Sequence, residues 1–316
     1  MDYSSKLIII IIIIIFLISS PPFAWLTQAY HFSEYIGVGY RNITFSNVSI
    51  NPDVEFHFIV SFALDYTNIS SMNVYQIPTN GKFKPYWNTN IITPSTVKSI
   101  KASHNNVKVA LTLGSDTAKD NIAYFHPYST DSWIENAVIS LTKIINQYSF
   151  DSIDISYEHF KAGEETFAEC IGRVVTLLKD NSVISFASIA PFDADIVQRY
   201  YQALWRKYGH VIDYVNFQFY AYNPGIVNVR QFMDYFEVQR NNYNGGKMLM
   251  GLSSDQGFNE GLIGDKRFMF DVCETLLIEE KVSGVFIWCA EASMVNGYLF
   301  EKQAQEMIAN ITNSHH

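Results

Sequence analysis

The sequence predicts an α/β protein built as a (β/α)₈ TIM barrel in a single domain. Three observations carry this. Apolar strand-like runs alternate with amphipathic helices along the chain, and eight such runs can be counted. The runs are rich in Val, Ile, Phe and Tyr, as parallel strands covered on both faces should be. The 316 residues leave about 290 after a leader is set aside, near the ~250 typical of one such barrel.

The chain opens with Lys6 and an unbroken apolar run from Leu7 to Ile18, followed by Ser19, Ser20, Pro21 and Pro22. A membrane-spanning helix needs about 20 apolar residues, whereas this run has the length of a signal-peptide core. Residues 1–24 are therefore read as a signal peptide, with cleavage between Ser20 and Gln28, and residues 25–316 as the barrel. No second long apolar run follows, so no membrane association is expected after cleavage. Secretion to the extracellular space or apoplast is the default, with the vacuole as the alternative compartment.

Strands are expected at residues 35–40, 56–64, 107–113, 152–157, 184–190, 214–222, 248–252 and 284–288. Thr93-Pro94 caps the first clear helix, with proline in the first helical position. Another helix covers about 131–147. In the next, at 163–179, Phe167, Cys170, Ile171, Val174, Val175 and Leu178 fall on one face. Further helices are read at about 193–208, 229–240, 265–280 and 298–311. Residues 41–54 make a poor helix and are read as an irregular connection.

Composition excludes several functions. A formal charge of −9 argues against a nucleic-acid partner, which needs a basic face. Three cysteines, Cys170, Cys273 and Cys289, are too few for a disulfide framework and lack zinc-ligand spacing. No metal or other cofactor is expected. Asn-x-Ser/Thr triplets begin at Asn42, Asn47, Asn68 and Asn310 and are glycosylation candidates in a secreted chain. The many aromatic residues are read mainly as core packing.

The chemistry concentrates in Phe150-Asp151-Ser152-Ile153-Asp154-Ile155-Ser156-Tyr157-Glu158. Side chains alternate along a strand, so Asp154, Ser156 and Glu158 share one face and Ile153, Ile155 and Tyr157 the other. In a barrel the polar set points inward, with Glu158 last, at the C-terminal mouth where active sites lie. Burying acids costs desolvation energy. For Asp151 and Asp154 both a structural hydrogen-bonded cluster and a functional role stay open. Glu158 is read as functional.

This run resembles the signature Asp-x-x-Asp-x-Asp-x-Glu of glycoside hydrolase family 18, at Asp151, Asp154 and Glu158. The resemblance is strongest to the plant chitinases and chitinase-like, narbonin-like members. Gln218-Phe219-Tyr220 is similar to the family's Gln-x-Tyr element, and Trp288 to the tryptophan that floors the sugar subsite. Thr112-Leu113-Gly114-Ser115 matches the usual Ser-x-Gly-Gly only loosely.

The resemblance implies substrate-assisted cleavage of chitin or another N-acetylglucosamine oligosaccharide by a monomer. Glu158 would protonate the glycosidic oxygen while the 2-acetamido group acts as nucleophile. Asp154 and Tyr220 would join it as catalytic residues, with Gln218, Trp288, Ser156 and Phe62 binding substrate. The resemblance also implies non-proline cis peptides at Ser61-Phe62 and Trp288-Cys289.

Two positions depart from the pattern. Ser152 stands where the family has Gly, and Ser156 where it has the aspartate that orients the acetamido N–H. A positioned acid/base group is worth about 10²–10⁴ in rate. The sequence thus points to a chitinase-like protein with weak or no turnover and a retained sugar cleft. An active endochitinase and a narbonin-like storage protein without ligand are the alternatives.

Overall fold

The apolar runs of the sequence pair with one another in parallel. The computed structural model describes residues 30–38, 41–67, 77–118, 121–221, 229–254 and 266–314. Its principal strands are β1 (His31–Ile36), β2 (Glu55–Leu64), β3 (Val107–Leu113) and β4 (Ser152–Ile155). They continue as β5 (Phe186–Ile189), β6 (Tyr214–Phe217), β7 (Lys247–Ser253) and β8 (Gly284–Trp288). Each is hydrogen-bonded to its sequence neighbour, and β1 pairs with both β2 and β8, closing the barrel. Closure depends on Gly284, whose φ is +156° and whose missing Cβ would lie 1.9 Å from the His31 carbonyl oxygen.

The helices are α1 (Pro94–Ser103), α2 (Thr130–Tyr148), α3 (Glu164–Asp180) and α4 (Asp195–Tyr208). They continue as α5 (Val229–Asn242), α6 (Lys266–Ile278) and α7 (Leu299–Ser314). Thr93 caps α1 by accepting a hydrogen bond from the Thr96 amide, and Pro94 follows it as expected. On α3 the whole expected face, from Phe167 to Leu178, is buried against the barrel. Burial of each large apolar side chain there contributes about 1.5–3 kcal/mol. The stretch 41–54 holds only a short 3₁₀ turn, Phe45–Asn47.

Three boundaries differ from expectation. β1 begins four residues earlier than the expected 35–40 and ends at Ile36, because Gly37 turns to φ +97°. Its polar residues disguised it: His31, Ser33 and Glu34 are all buried. β4 stops at Ile155, short of 157. β6 stops at Phe217, and residues 219–221 form a 3₁₀ turn whose Ala221 amide bonds the Gln218 carbonyl at 3.0 Å. Gln218 and Tyr220 therefore lie just past the sixth strand, not on it.

The interior is layered. At the N-terminal floor the His31 ring lies 4.5 Å from His57 and 4.3 Å from Tyr214. One layer up, strand register sets Thr112 and Ser188 beside Asp154 on either side. Outside the barrel a polar pocket interrupts the apolar layer: Glu34 of β1, Glu291 after β8 and Glu301 of α7 are all buried. The three cysteines are buried, and none forms a disulfide among the described residues. No helix of the described residues is long and apolar enough to cross a membrane. The signal segment, residues 1–24, lies outside the described residues, as does Asn68.

Candidate active site

The mouth of the barrel is assembled from the ends of β2, β3, β4, β6 and β8. Asp154 lies deepest and is fully buried. Four donors reach it: Tyr35 Oη at 2.9 Å and Thr112 Oγ1 at 3.3 Å on Oδ2, Ser188 Oγ at 2.6 Å and Asn216 Nδ2 at 3.1 Å on Oδ1. Burial raises its pKa, and the four hydrogen bonds oppose that rise.

Ser156, two residues on, is buried and its amide bonds the Leu113 carbonyl at 2.8 Å. Its hydroxyl has no hydrogen-bond partner among the described residues. Glu158 follows at the rim, half-buried. Its pKa is pushed up to about 8, first by desolvation and then by the charge of Asp116, while a hydrogen bond with Gln218 acts the other way. A carboxyl in that state is protonated at neutral pH and can donate a proton.

The groups expected to face it converge on this rim. The Tyr220 hydroxyl donates to Gln218 Oε1 at 3.0 Å, and Gln218 Nε2 donates to the Ala190 carbonyl at 2.8 Å. Burial drives the Tyr220 hydroxyl well above its ordinary pKa, so it is a firm donor. Trp288 lies at the end of β8, its ring 5.3 Å from Tyr35 and 6.1 Å from Phe62. Both expected non-proline cis peptides, Ser61-Phe62 and Trp288-Cys289, are present.

Asp151 is placed apart from this group. Its carboxylate takes Lys101 Nζ at 2.7 Å and the Val109 amide at 2.8 Å, tying the start of β4 to α1 and β3. That is a structural role. Asn42, Asn47 and Asn310 are exposed, and Asn42 lies in the connection leaving the mouth end of β1, in a crevice shared with Gly37 and Glu291. Among the described residues no group of His, Cys, Asp and Glu could hold a metal ion.

Several site residues were not foreseen: Tyr35, Ser188, Asn216, Asp116 and His159. Ser188 and Asn216 carried a readable signal, being single polar residues inside otherwise apolar strands. Tyr35 looked like one more core aromatic.

Comparison with known proteins agrees with this geometry. The profile of "Glycosyl hydrolases family 18" matches residues 34–255. "Chitinase 1" of Tulipa saxatilis subsp. bakeri is 53% identical over 292 residues, covering 92% of this chain and 90% of the relative. "RuBisCO-associated protein" of Glycine max is 33% identical over 167 residues, covering 52% of this chain and 56% of the relative. The crystal structure of a family 18 chitinase from Crocus vernus superposes with a TM-score of 0.82 at 42% identity, covering 88% of this chain and 99% of that one. The carboxyl-lined barrel mouth and these matches together show that the chain belongs to glycosyl hydrolase family 18.

Proposed function

We propose that the chain is a secreted, chitinase-like protein that binds N-acetylglucosamine oligomers in its barrel mouth and turns them over weakly or not at all. One observation carries this: Ser156 occupies the buried position between Asp154 and Glu158 where the family signature has an aspartate. In substrate-assisted retention the acetamido carbonyl attacks the anomeric carbon while an enzyme acid protonates the leaving oxygen. Glu158 has the protonation state for the second task. A serine hydroxyl can meet the acetamido N–H but brings no charge to the cationic ring that forms. Losing such a group lowers the rate by about 10²–10⁴.

Binding has its own support. Tyr220 and Gln218 supply polar groups just past β6, and Trp288 supplies a partly exposed aromatic ring at the end of β8. The tulip relative is named a chitinase, which favours the same ligand class. The soybean relative is named for an association rather than for hydrolysis, so the barrel is also found under non-enzymatic names. Secretion, and with it glycans on the exposed Asn42, Asn47 and Asn310, belong to the same reading. So does action as a monomer.

The second reading is an active endochitinase. It is favoured by the Glu158 carboxyl, held near pKa 8 without the signature aspartate. Calorimetry with chitin oligosaccharides, run beside a hydrolysis assay, separates the cases. Binding heat with little cleavage is expected. Cleavage at ordinary enzymatic rates would favour the second reading, and absence of both would leave a storage protein.

A further inference from the structure

Both sequence neighbours of Glu158 are anchored, and the anchors differ in kind. Tyr157 is buried, and its hydroxyl donates to Asp65 Oδ1 at 3.3 Å. Its ring packs onto Gly114, where an added Cβ would stand 2.6 Å from the ring. That is a structural wedge. On the other side His159 Nε2 lies 2.6 Å from Asp116 Oδ1. Residues His159–Phe160 pair in parallel with Tyr124–Phe125, and the His159 and Tyr124 rings meet edge-on at 5.8 Å.

Asp116 sits just beyond β3, three residues past Leu113. Its carbonyl accepts the Ala123 amide at 3.0 Å, which fixes the loop that presents it. The carboxylate thus comes from the strand end next to β4 and reaches the residue after the acid. Its negative charge acts on Glu158, one residue before His159. The other groups acting on or facing Glu158 are Gln218 and Tyr220 beyond β6, Tyr201 on α4, and His159 on its own segment.

We propose that Asp116, bridged to His159, is a positioning residue that takes over from the missing signature carboxylate. It fixes the segment presenting Glu158 and supplies a negative charge beside it from a neighbouring strand end. This rests on Glu158 being the proton donor of the site. Its effect is transmitted through Glu158 and not by contact with substrate. The Asp116 side chain is 59% exposed, so water and salt screen its charge and the expected effect is modest.

The test is a carboxyl carbon NMR titration of the full chain, with the Glu158 signal assigned by its loss in Glu158→Gln. Asp116→Asn keeps the shape and removes the charge. It is expected to lower the Glu158 titration midpoint by about half a pH unit or more. Asp116→Glu keeps the charge and should retain the wild-type midpoint. Ser156→Asp added to Asp116→Asn should raise the midpoint again. An unchanged midpoint in Asp116→Asn overturns the proposal, as does an equal fall in Asp116→Asn and Asp116→Glu. Failure of the proton-donor reading shows differently: Glu158→Gln added to Ser156→Asp would then cleave oligosaccharides as well as Ser156→Asp alone, whatever the midpoints do.

Discussion

The hydroxyl of Tyr35 on β1 donates a 2.9 Å hydrogen bond to Oδ2 of Asp154 on β4, across the barrel interior. Thr112, Ser188 and Asn216 complete the shell, so strands β1, β3, β4, β5 and β6 meet at one carboxylate. Asp154 is therefore a keystone of the fold as well as the floor of the site. Asp154→Ala would strand several buried donors, each costing about 1–3 kcal/mol. A loss of about 3 kcal/mol or more is expected in urea unfolding, with a smaller loss for Asp154→Asn, which keeps one acceptor oxygen. Equal, sub-kcal effects of both would contradict the keystone role.

Gly114 joins the fold to the acid. Its φ is +85°, and an added Cβ would meet the Tyr157 ring at 2.6 Å. Strain of this kind costs about 1–3 kcal/mol before any clash. Gly114→Ala is expected to cost about 2 kcal/mol or more and to weaken whatever cleavage the wild type shows, because Glu158 follows Tyr157. Stability and activity both unchanged would mean that the wedge moves freely.

Buried ionisable groups in two parts of the molecule titrate in opposite senses. His31 and His57 are held below their ordinary value, chiefly by burial, so both are neutral in the folded chain. Below about pH 6.5 the unfolded chain takes up protons that the folded one refuses. Stability is therefore lost on acidification. Glu34 is raised well above its ordinary value by burial and by the charges of Glu301 and Glu291. Above about pH 4.5 the unfolded chain releases a proton that the folded one keeps, so stability is lost as pH rises.

Glu34→Gln removes the second effect. Relative to the wild type it should gain up to about 1.4 kcal/mol per pH unit as pH rises above about 4.5. His31→Phe should flatten the acid side in the same unfolding series. Curves for Glu34→Gln that run parallel to the wild type would show that Glu34 is ionised in the folded chain.

Trp288 is expected to carry ligand stacking. Trp288→Ala should weaken binding of N-acetylglucosamine oligomers about tenfold or more, near 1.4 kcal/mol, by calorimetry. Undiminished binding would place the sugar elsewhere.

Much of this molecule was legible in the sequence. Period and composition located seven of the eight barrel strands because parallel strands buried on both faces read as apolar runs. The alternation at 153–158 placed Glu158 at the rim and Asp154 below it. β1 was misplaced because His31, Ser33 and Glu34 are polar yet buried, which interrupts the apolar run by which a covered strand is recognised. The four donors on Asp154 come from four other strands, and their convergence is set by register, which a single chain does not display. Asp116 was invisible for the same reason: 42 residues separate it from Glu158, and only the packing of the β3 loop brings them together.

The most direct measurement is the rate of chitin oligosaccharide hydrolysis by the wild type and Ser156→Asp, with folding checked by the same urea series. The wild type should be slow or silent, and Ser156→Asp should be faster by about 10²-fold or more. A wild type already turning over at about 1 s⁻¹ or above, with Ser156→Asp no faster, would contradict the claim that the missing carboxylate limits this site.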